Sequence, residues 1–574
     1  MAPPAETRAR AVALGRAGDE IVAVRLDDDP ERIAVCRAED RAGLAAWVAR
    51  AEAEERPRWV WADTAAWYAP LLAAGVRVER CHDLRLGRRI LRTALPDAVP
   101  WHEAPGWDAA FEEPPTAAAA LFELDDRVDA DDTVDAIDAV VTEHARQRRA
   151  VVTASNAGRL RLLLAAESAG ALVAAELREA GLPWDADRHD AILAATLGPR
   201  RANGLPERME QAAAAVREAL GDPTLGLDSP PRVLRALRAA GVHVDSTSKW
   251  ELAPHDHPAI PPLLDYKRLS RLLAANGWAW LAEWVHDGRF RPVYVPGGVV
   301  TGRWASSGGG ALQIPRALRA AVRADPGWRI VSADVAQLEP RVLAAMARDE
   351  GMAAAAAGSD LYAGIVASGA VATRSEAKIA VLGAMYGATT GDAGRLVPRL
   401  RRVFPAAMAL VDAAARTGED GGIVRTWLGR TSPSPDDAWY EEQSRASGGD
   451  ASAVDERRAR RSARDRGRFT RNFVVQGTAA EWSLAWLADL RLRLASLGSA
   501  ADGPGAPASG AVFSDRPHLA FFLHDEVLVH APASVAEEAA QAVRDAATAA
   551  GRLLFGAFPI DFPLDVRIDD DAAK

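Results

Sequence analysis

Trp328-Arg-Ile-Val-Ser-Ala-Asp334-Val-Ala-Gln-Leu-Glu339-Pro-Arg341 is the stretch on which the reading of this chain turns. Its first half is an apolar strand that runs straight into Asp334. Glu339-Pro340 then opens a helical pattern, Arg341–Ala347, with proline suited to the first turn. A second carboxylate sits where another strand stops: Leu519–Leu523, the polar tip His524-Asp525-Glu526, and Val527–Val529 read as strand, tip, strand. Carboxylates held at strand ends and open to solvent can share hard divalent cations such as magnesium. Taken singly, either residue is more simply a turn or capping Asp.

Two further constellations lie between them. Arg374, Lys378, Leu382 and Tyr386 recur every four residues and form one slanted stripe on a helix. Two cations stand at its N-terminal end, where the helix dipole also attracts anions, and an aromatic stands at the other. A surface helix with scattered charge would read the same way. Lysine usage tilts the balance, because only Lys249, Lys267, Lys378 and Lys574 occur among 69 basic residues. Arg is effectively always charged, whereas Lys can give up a proton. Arg468-Phe-Thr-Arg-Asn472 followed by Gln476-Gly-Thr478 offers side-chain donors and acceptors of the kind base-edge contacts need.

The wider chain sets limits. Its 574 residues suffice for two to four domains, and 49% hydrophobic residues exclude wholesale disorder. Cys36 and Cys81 are the only cysteines, which excludes a disulfide framework or a Cys-rich zinc module. No apolar run approaches the roughly 18 residues of a membrane span, and the N-terminal residues carry no secretory h-region, so a cytoplasmic protein is expected. Net charge is −10, yet it is uneven. Residues 1–150 hold 20 basic and 29 acidic residues, 301–430 hold 16 and 11, and 455–471 hold eight Arg against three acids. The locally basic back half keeps a polyanionic partner open, although ordinary solvated surface explains charge alone equally well.

Residues 1–165 read as mixed α/β, with apolar runs at Ile21–Val24, Trp59–Trp61 and Ala150–Val152 and a loop from about 95 to 135. Long amphipathic helices follow from about 166, including Ala166–Gly181 and Glu207–Leu220, and residues 432–466 read as a mobile insertion.

The ordered set resembles the family-A DNA polymerases, the DNA polymerase I type. Thr301-Gly-Arg-Trp-Ala-Ser-Ser307 with Leu312-Gln-Ile-Pro315 resembles TGRxSS…LQNIP, and Asp334–Arg341 resembles motif A, DYSQIELR. Arg374 through Tyr386-Gly387 resembles motif B, RxxxKxxxFxxxYG, and Val424-Arg-Thr-Trp-Leu-Gly-Arg430 resembles VxTxxGRRR. Asn472 with Gln476–Ala480 resembles NxxxQGTAAD, and His524-Asp-Glu526 resembles motif C, HDE. Glu167–Asp185 resembles the start of the polymerase fold and Tyr266–Leu272 the thumb's YRELSKL. The likeness spans about 166 to 574. Val335 and Ala336 depart from the usual Tyr and Ser, Leu382 from the usual aromatic, and Tyr362 replaces a His.

The resemblance implies an α+β right-hand polymerase: thumb 228–290, palm 300–345 and 470–574, fingers 346–430. It implies a DNA-directed DNA polymerase adding dNTPs to a primer 3′ hydroxyl in repair or replication, as a monomeric, nucleoid-associated enzyme on primer–template DNA. Asp334, Asp525 and the carbonyl of Val335 would hold two Mg²⁺ ions, with Mn²⁺ able to substitute. Gln337, Glu339, Arg374, Lys378, Leu382 and Tyr386 would bind dNTP. Lys378 would protonate the leaving pyrophosphate, and Glu339 would block a ribose 2′-OH. Arg303, Thr426, Arg430, Arg468, Asn472, Gln476, His524 and Glu526 would bind DNA. A phage-type RNA polymerase, a catalytically weak DNA-binding relative, and a chain whose main activity is nuclease are the competing readings.

By position, residues 1–165 resemble the DnaQ-like, RNase H-like 3′–5′ exonuclease domain that precedes this polymerase fold. That chemistry needs four carboxylates for two metals. The run Ile21–Val24 leads to Arg25-Leu-Asp-Asp-Asp29 with no D-x-E inside the strand, and Asp29-Pro-Glu31 reads as a turn. Asp63 and Asp83 can fill the middle, but no anchored final Asp follows. A degenerate domain without proofreading is expected, with an active bifunctional enzyme as the alternative. No 5′-nuclease segment is apparent.

Overall fold

The computed structural model describes residues 11–26, 31–107, 134–201, 204–310, 314–388, 391–448, 451–498 and 503–573. The Asp27–Asp29 run, most of the expected 95–135 loop and part of Leu312–Pro315 fall outside them. The chain forms two compact units, one of residues 1–181, 293–308 and 325–569, the other of 182–292, 309–324 and 570–574. No described helix is long and apolar enough to cross a membrane.

The first unit begins with a five-stranded sheet: β1 Ala11–Ala17, β2 Glu20–Arg25, β3 Arg32–Arg37, β4 Arg58–Trp61 and β5 Arg80–Asp83. The order is β3-β2-β1-β4-β5, antiparallel through the first three and parallel onward. Helices α1 Arg41–Glu54, α2 Thr64–Ala73, α3 Leu84–Ala94 and α4 Ile137–Thr153 accompany it. Ala150–Val152, expected to be extended, is the last turn of α4, because Val140, Glu143, Gln147 and Ala150 form one buried face at helical spacing. The strand β1, which the apolar runs did not reveal, is the true first strand.

Helix α5, Ala157–Ala180, runs unbroken through the expected domain boundary at 165/166 and stops at Gly181, whose φ is 66°. Leu172 and Ala180 of α5 share a core with Trp59, Trp61 and Tyr68, so the helix is as much a part of the N-terminal layer as of the elements after it.

The second unit holds α6 Ala186–Leu197, α7 Glu207–Leu220, α8 Pro230–Ala239, α9 Lys249–Leu252, α10 Ile260–Asn276 and α11 Trp278–Trp284. A small sheet joins β6 Leu182–Pro183, β7 Val285–His286 and β8 Arg289–Phe290. Trp184, Trp280 and Phe290 pack ring on ring there at 4.9 to 5.6 Å. Residues 228–290, expected to be a thumb, lie wholly within this unit.

The rest of the first unit is built on a ribbon, β9 Val293–Val295 with β10 Ala305–Gly308, and a four-stranded antiparallel sheet. That sheet comprises β11 Trp328–Val335, β12 His518–Leu523, β13 Glu526–Pro532 and β14 Leu564–Asp569, in the order β12-β13-β11-β14. A helical layer contains α12 Leu338–Ala347, α13 Glu350–Ala355, α14 Leu361–Ala367, α15 Arg374–Tyr386, α16 Gly391–Val403 and α17 Pro405–Glu419. Its core includes Leu343, Ile365, Val381, Leu396, Phe404, Val411 and Phe473.

Residues 432–466, expected to be a mobile insertion, are largely helical. They carry α18 Asp437–Ser447 and the first turns of α19 Ala453–Ser496, a helix of 44 residues. A capping box between Ser452 and Asp455 starts α19, and its second half is buried nearly all round from Phe473 to Leu487. Helix α20, Ala536–Phe555, packs beside it.

Candidate active site

Strands β11 and β13 bring carboxylates to one end of the sheet, and Asp525 stands in the turn that leads into β13. In the ladder Asp334 of β11 lies opposite Glu526 of β13, and Val335 N–H donates to the Asp525 carbonyl at 2.9 Å. The two motif aspartates are therefore fixed to each other by backbone. His524 and Gln337, beside them, hold φ of 57° and 50°, left-handed values costly for residues with a side chain. Tertiary bonds hold both in place. Ser483 Oγ of α19 donates to the His524 carbonyl at 2.9 Å, and Gln337 Oε1 accepts from Leu361 N–H at 3.1 Å.

Burial, and then the nearby charge of Asp334, push the Asp525 carboxyl up to about 6. Burial and Arg303 lower His524 to about 4, so its imidazole is neutral at physiological pH. Two half-buried carboxylates close enough to repel, on rigid strand ends, form a hard-oxygen donor set that suits a divalent cation. Among the described residues no group of three or more His, Cys, Asp or Glu side chains is placed to hold a metal. The pair and the backbone beside it are what the site offers.

A cavity of about 240 Å³ opens beside the pair, walled by Arg303, Trp304, Leu338, Glu339, Phe522 and Asp525. Glu339, in the first turn of α12, is clamped at its mouth. Arg303 forms an ion pair with it, and Tyr386 Oη donates to its Oε2 at 2.8 Å. Burial and then Glu339 raise the Tyr386 hydroxyl to about 12.

Helix α15 starts with a capping box of Thr373 and Glu376 and ends at Gly387, φ 72°. Ala377, Ala380, Val381, Ala384 and Met385 enter the core, which leaves Arg374, Lys378 and Tyr386 of the stripe facing out and Leu382 between them part-buried. Arg374 Nε donates to Asp360 at 2.7 Å, and its guanidinium lies 5.5 Å from the centre of the Tyr362 ring. Lys378 is exposed and unpaired among the described residues. Leu382 is half-buried against the core, and Gln337 Oε1 accepts from both Leu361 N–H and Arg341.

Along α19, Arg468 is exposed and paired with Asp465, and Gln476 accepts from Thr301 Oγ1 at 3.0 Å. Asn472 Oδ1 is buried without a partner, so an amide oxygen waits on this helix. Glu526 is buried.

Thr426 and Arg430 depart from expectation. Both are buried: Arg430 pairs with Glu167, and Thr426 Oγ1 bonds to Glu481. These internal carboxylates take up the polar groups expected to reach DNA. Arg430 instead underlies the turn before Arg303, since a Cβ on Gly302, φ 87°, would stand 2.6 Å from Arg430 Nε. Ser483, Asp360 and Glu481 were not foreseen. Ser483 follows Gln476 by two helical turns, which was the one local signal for it.

The family model "DNA polymerase family A" matches residues 208–570. The chain is similar to DNA polymerase I of Chloroflexus aurantiacus, 29% identical over 349 residues, covering 56% of this chain and 33% of that one. It is also similar to the thermostable DNA polymerase I of Thermus filiformis, 28% identical over 340 residues, covering 54% and 36%. The chain thus spans about a third of the length of these curated relatives. Among solved structures, the POL domain of Pol1 from M. smegmatis, in complex with DNA primer-template and dNTP, matches with a TM-score of 0.66 at 19% identity. The match covers 99% of this chain and 96% of that one.

Proposed function

Because the chain belongs to DNA polymerase family A, we propose that it is a template-directed DNA polymerase that adds dNTPs to a primer 3′ hydroxyl in repair or replication. The observation that carries this reading is the tie between Val335 and Asp525, which sets two carboxylates at one sheet edge beside the Arg303–Glu339–Tyr386 clamp. Asp334 and Asp525, with the Val335 carbonyl, would hold two Mg²⁺ ions. When bound, these would activate the hydroxyl and steady the leaving pyrophosphate.

The remaining work falls to the chain's own side chains. Arg374 and Lys378 would neutralise the triphosphate, and exposed Lys378 would hand a proton to the leaving pyrophosphate. Glu339, immobilised by two partners, would exclude a ribose 2′-OH, and Tyr386 would stack near the new pair. Arg303, Arg468, Asn472, Gln476 and His524 would grip the primer–template. The four-stranded sheet with α12 would be the palm, α13–α17 the fingers, and the second unit would contain the thumb. A monomer in the cytoplasm, associated with the nucleoid, fits this role.

We further propose that residues 1–165 keep a DnaQ-like exonuclease fold without proofreading. The sheet order supports the fold. Strand β1 supports the loss, because Ala11–Ala17 carries no carboxylate where the first metal ligands would stand. Asp83 is buried and accepts from Thr64 and Leu86.

Primer extension tests the main reading. The native chain should incorporate dNTPs in preference to rNTPs, and Asp334→Ala should abolish incorporation. Preferential use of rNTPs would overturn it. Removal of a mismatched primer end by Asp334→Ala, lost on deleting residues 1–165, would overturn the absence of proofreading.

A further inference from the structure

Helix α19 carries a charged ridge that the proposed reaction leaves unused. Arg457, Arg461 and Arg464 are exposed, and none pairs with an acid among the described residues. With Arg468 they are spaced four, three and four residues apart, which aligns them on one helix face. Asn472 and Gln476 continue that face in two more steps of four. At about 1.5 Å per residue the arginines span about 16 Å.

The opposite face is anchored. Thr470 Oγ1 donates to the Ala414 carbonyl at 2.8 Å, and a Cβ on Gly467 would stand 2.6 Å from Glu419. Helix α18 braces the far end, where Gln443 donates to the Ala459 carbonyl at 3.1 Å and Glu442 pairs with Arg458. The fold therefore holds like charges in register on a rigid rod, an arrangement that by itself disfavours the helix. A polyanion lying along the rod would neutralise it.

We propose that Arg457, Arg461 and Arg464 form a rail for the phosphates of duplex DNA, extending the grip of Arg468, Asn472 and Gln476 beyond the active-site cleft. The inference rests on the polymerase reading. Duplex is the fitting occupant because the same ridge leads to the half-buried Asn472 and Gln476, which the polymerase reading already places on the primer–template. About 16 Å also corresponds to about five phosphates at about 3.4 Å per step of one strand.

The test is equilibrium binding of a hairpin primer–template, followed over a range of salt concentrations, with Arg457→Gln, Arg461→Gln and Arg464→Gln combined. Loss of three phosphate contacts should lower the slope of log affinity against log salt by about 2.7, at about 0.9 per contact. Affinity at physiological salt should fall about tenfold or more. The variant Arg544→Gln with Arg552→Gln, which removes exposed charge from α20, should leave the slope unchanged, and circular dichroism should show both variants folded. An unchanged slope in the folded triple variant overturns the rail. So does a loss seen only with a single-stranded overhang. Native protein that binds duplex but extends no primer would sink the polymerase reading and leave the binding result standing.

Discussion

Tyr386 Oη donates to Glu339 Oε2 at 2.8 Å, tying the last turn of α15 to the first turn of α12 across a carboxylate that Arg303 holds from the other side. Glu339 is thus fixed by two partners from two other segments. Tyr386→Phe removes one donor and leaves the carboxylate to Arg303 alone. The expected result is a rise of about tenfold in rNTP use relative to dNTP, from a loss of about 1–1.5 kcal/mol in positioning. Glu339→Ala should raise it further. Single-nucleotide incorporation with matched dNTP and rNTP measures both, and an unchanged ratio in Glu339→Ala would remove Glu339 from sugar selection.

Asp334 and Asp525 repel each other in the metal-free chain. Asp334→Asn should therefore leave the thermal midpoint unchanged or slightly raised while incorporation falls by about a thousandfold or more. A marked loss of stability would show that Asp334 holds the sheet together and that its catalytic role is not separable.

Burial lifts Glu481 from 4.5 to about 7, outweighing hydrogen bonds from Thr426 and Leu428. Between those values the folded chain keeps a proton that the unfolded chain has released, so stability falls as pH rises from about 4.5 to about 7. Glu481→Gln should flatten that part of the profile. Urea midpoints at about pH 5 and about pH 8 for both proteins decide it.

Glu176 of α5 answers with the opposite sign. Burial opposes its ionisation, but Arg491 and Arg77 hold it at about 2. Arg491 Nη2 lies 2.6 Å away, and Tyr68 Oη donates at 2.7 Å. Its contribution is complete above about 4.5 and is lost as pH falls toward about 2. Glu176→Ala strands the buried Arg491 guanidinium and the half-buried Arg77 and should cost about 3–5 kcal/mol in denaturant unfolding. A cost below about 1 kcal/mol would mean that water reaches the pair.

The placement of the candidate residues was legible because they sit in short local runs: most fall at a strand end or on one helix face, and periodicity reports both. What escaped depends on distant partners. Whether Arg430 faces DNA or the interior is settled by Glu167, 263 residues away. Strand β1 is apolar only over Ala11–Leu14, half of it alanine, before Gly15 and Arg16, which makes a weak strand signal. The first turns of α19 are polar and Arg-rich, and they are helical because α17 and α18 pack against them. Helix α5 runs through the expected boundary at 165/166 for a similar reason, since it buries residues shared with the N-terminal core.

The strand that bears Asp334 has both its neighbours far along the chain, β13 about 190 residues and β14 about 230 residues after it. At about 5–20 residues per second, a ribosome would hold β11 without partners for about 10–40 s, its hydrogen-bonding edges exposed. Synthesis of this protein therefore carries a window of aggregation risk that closes only when the final strand emerges, and slow codons between β11 and β13 would lengthen it.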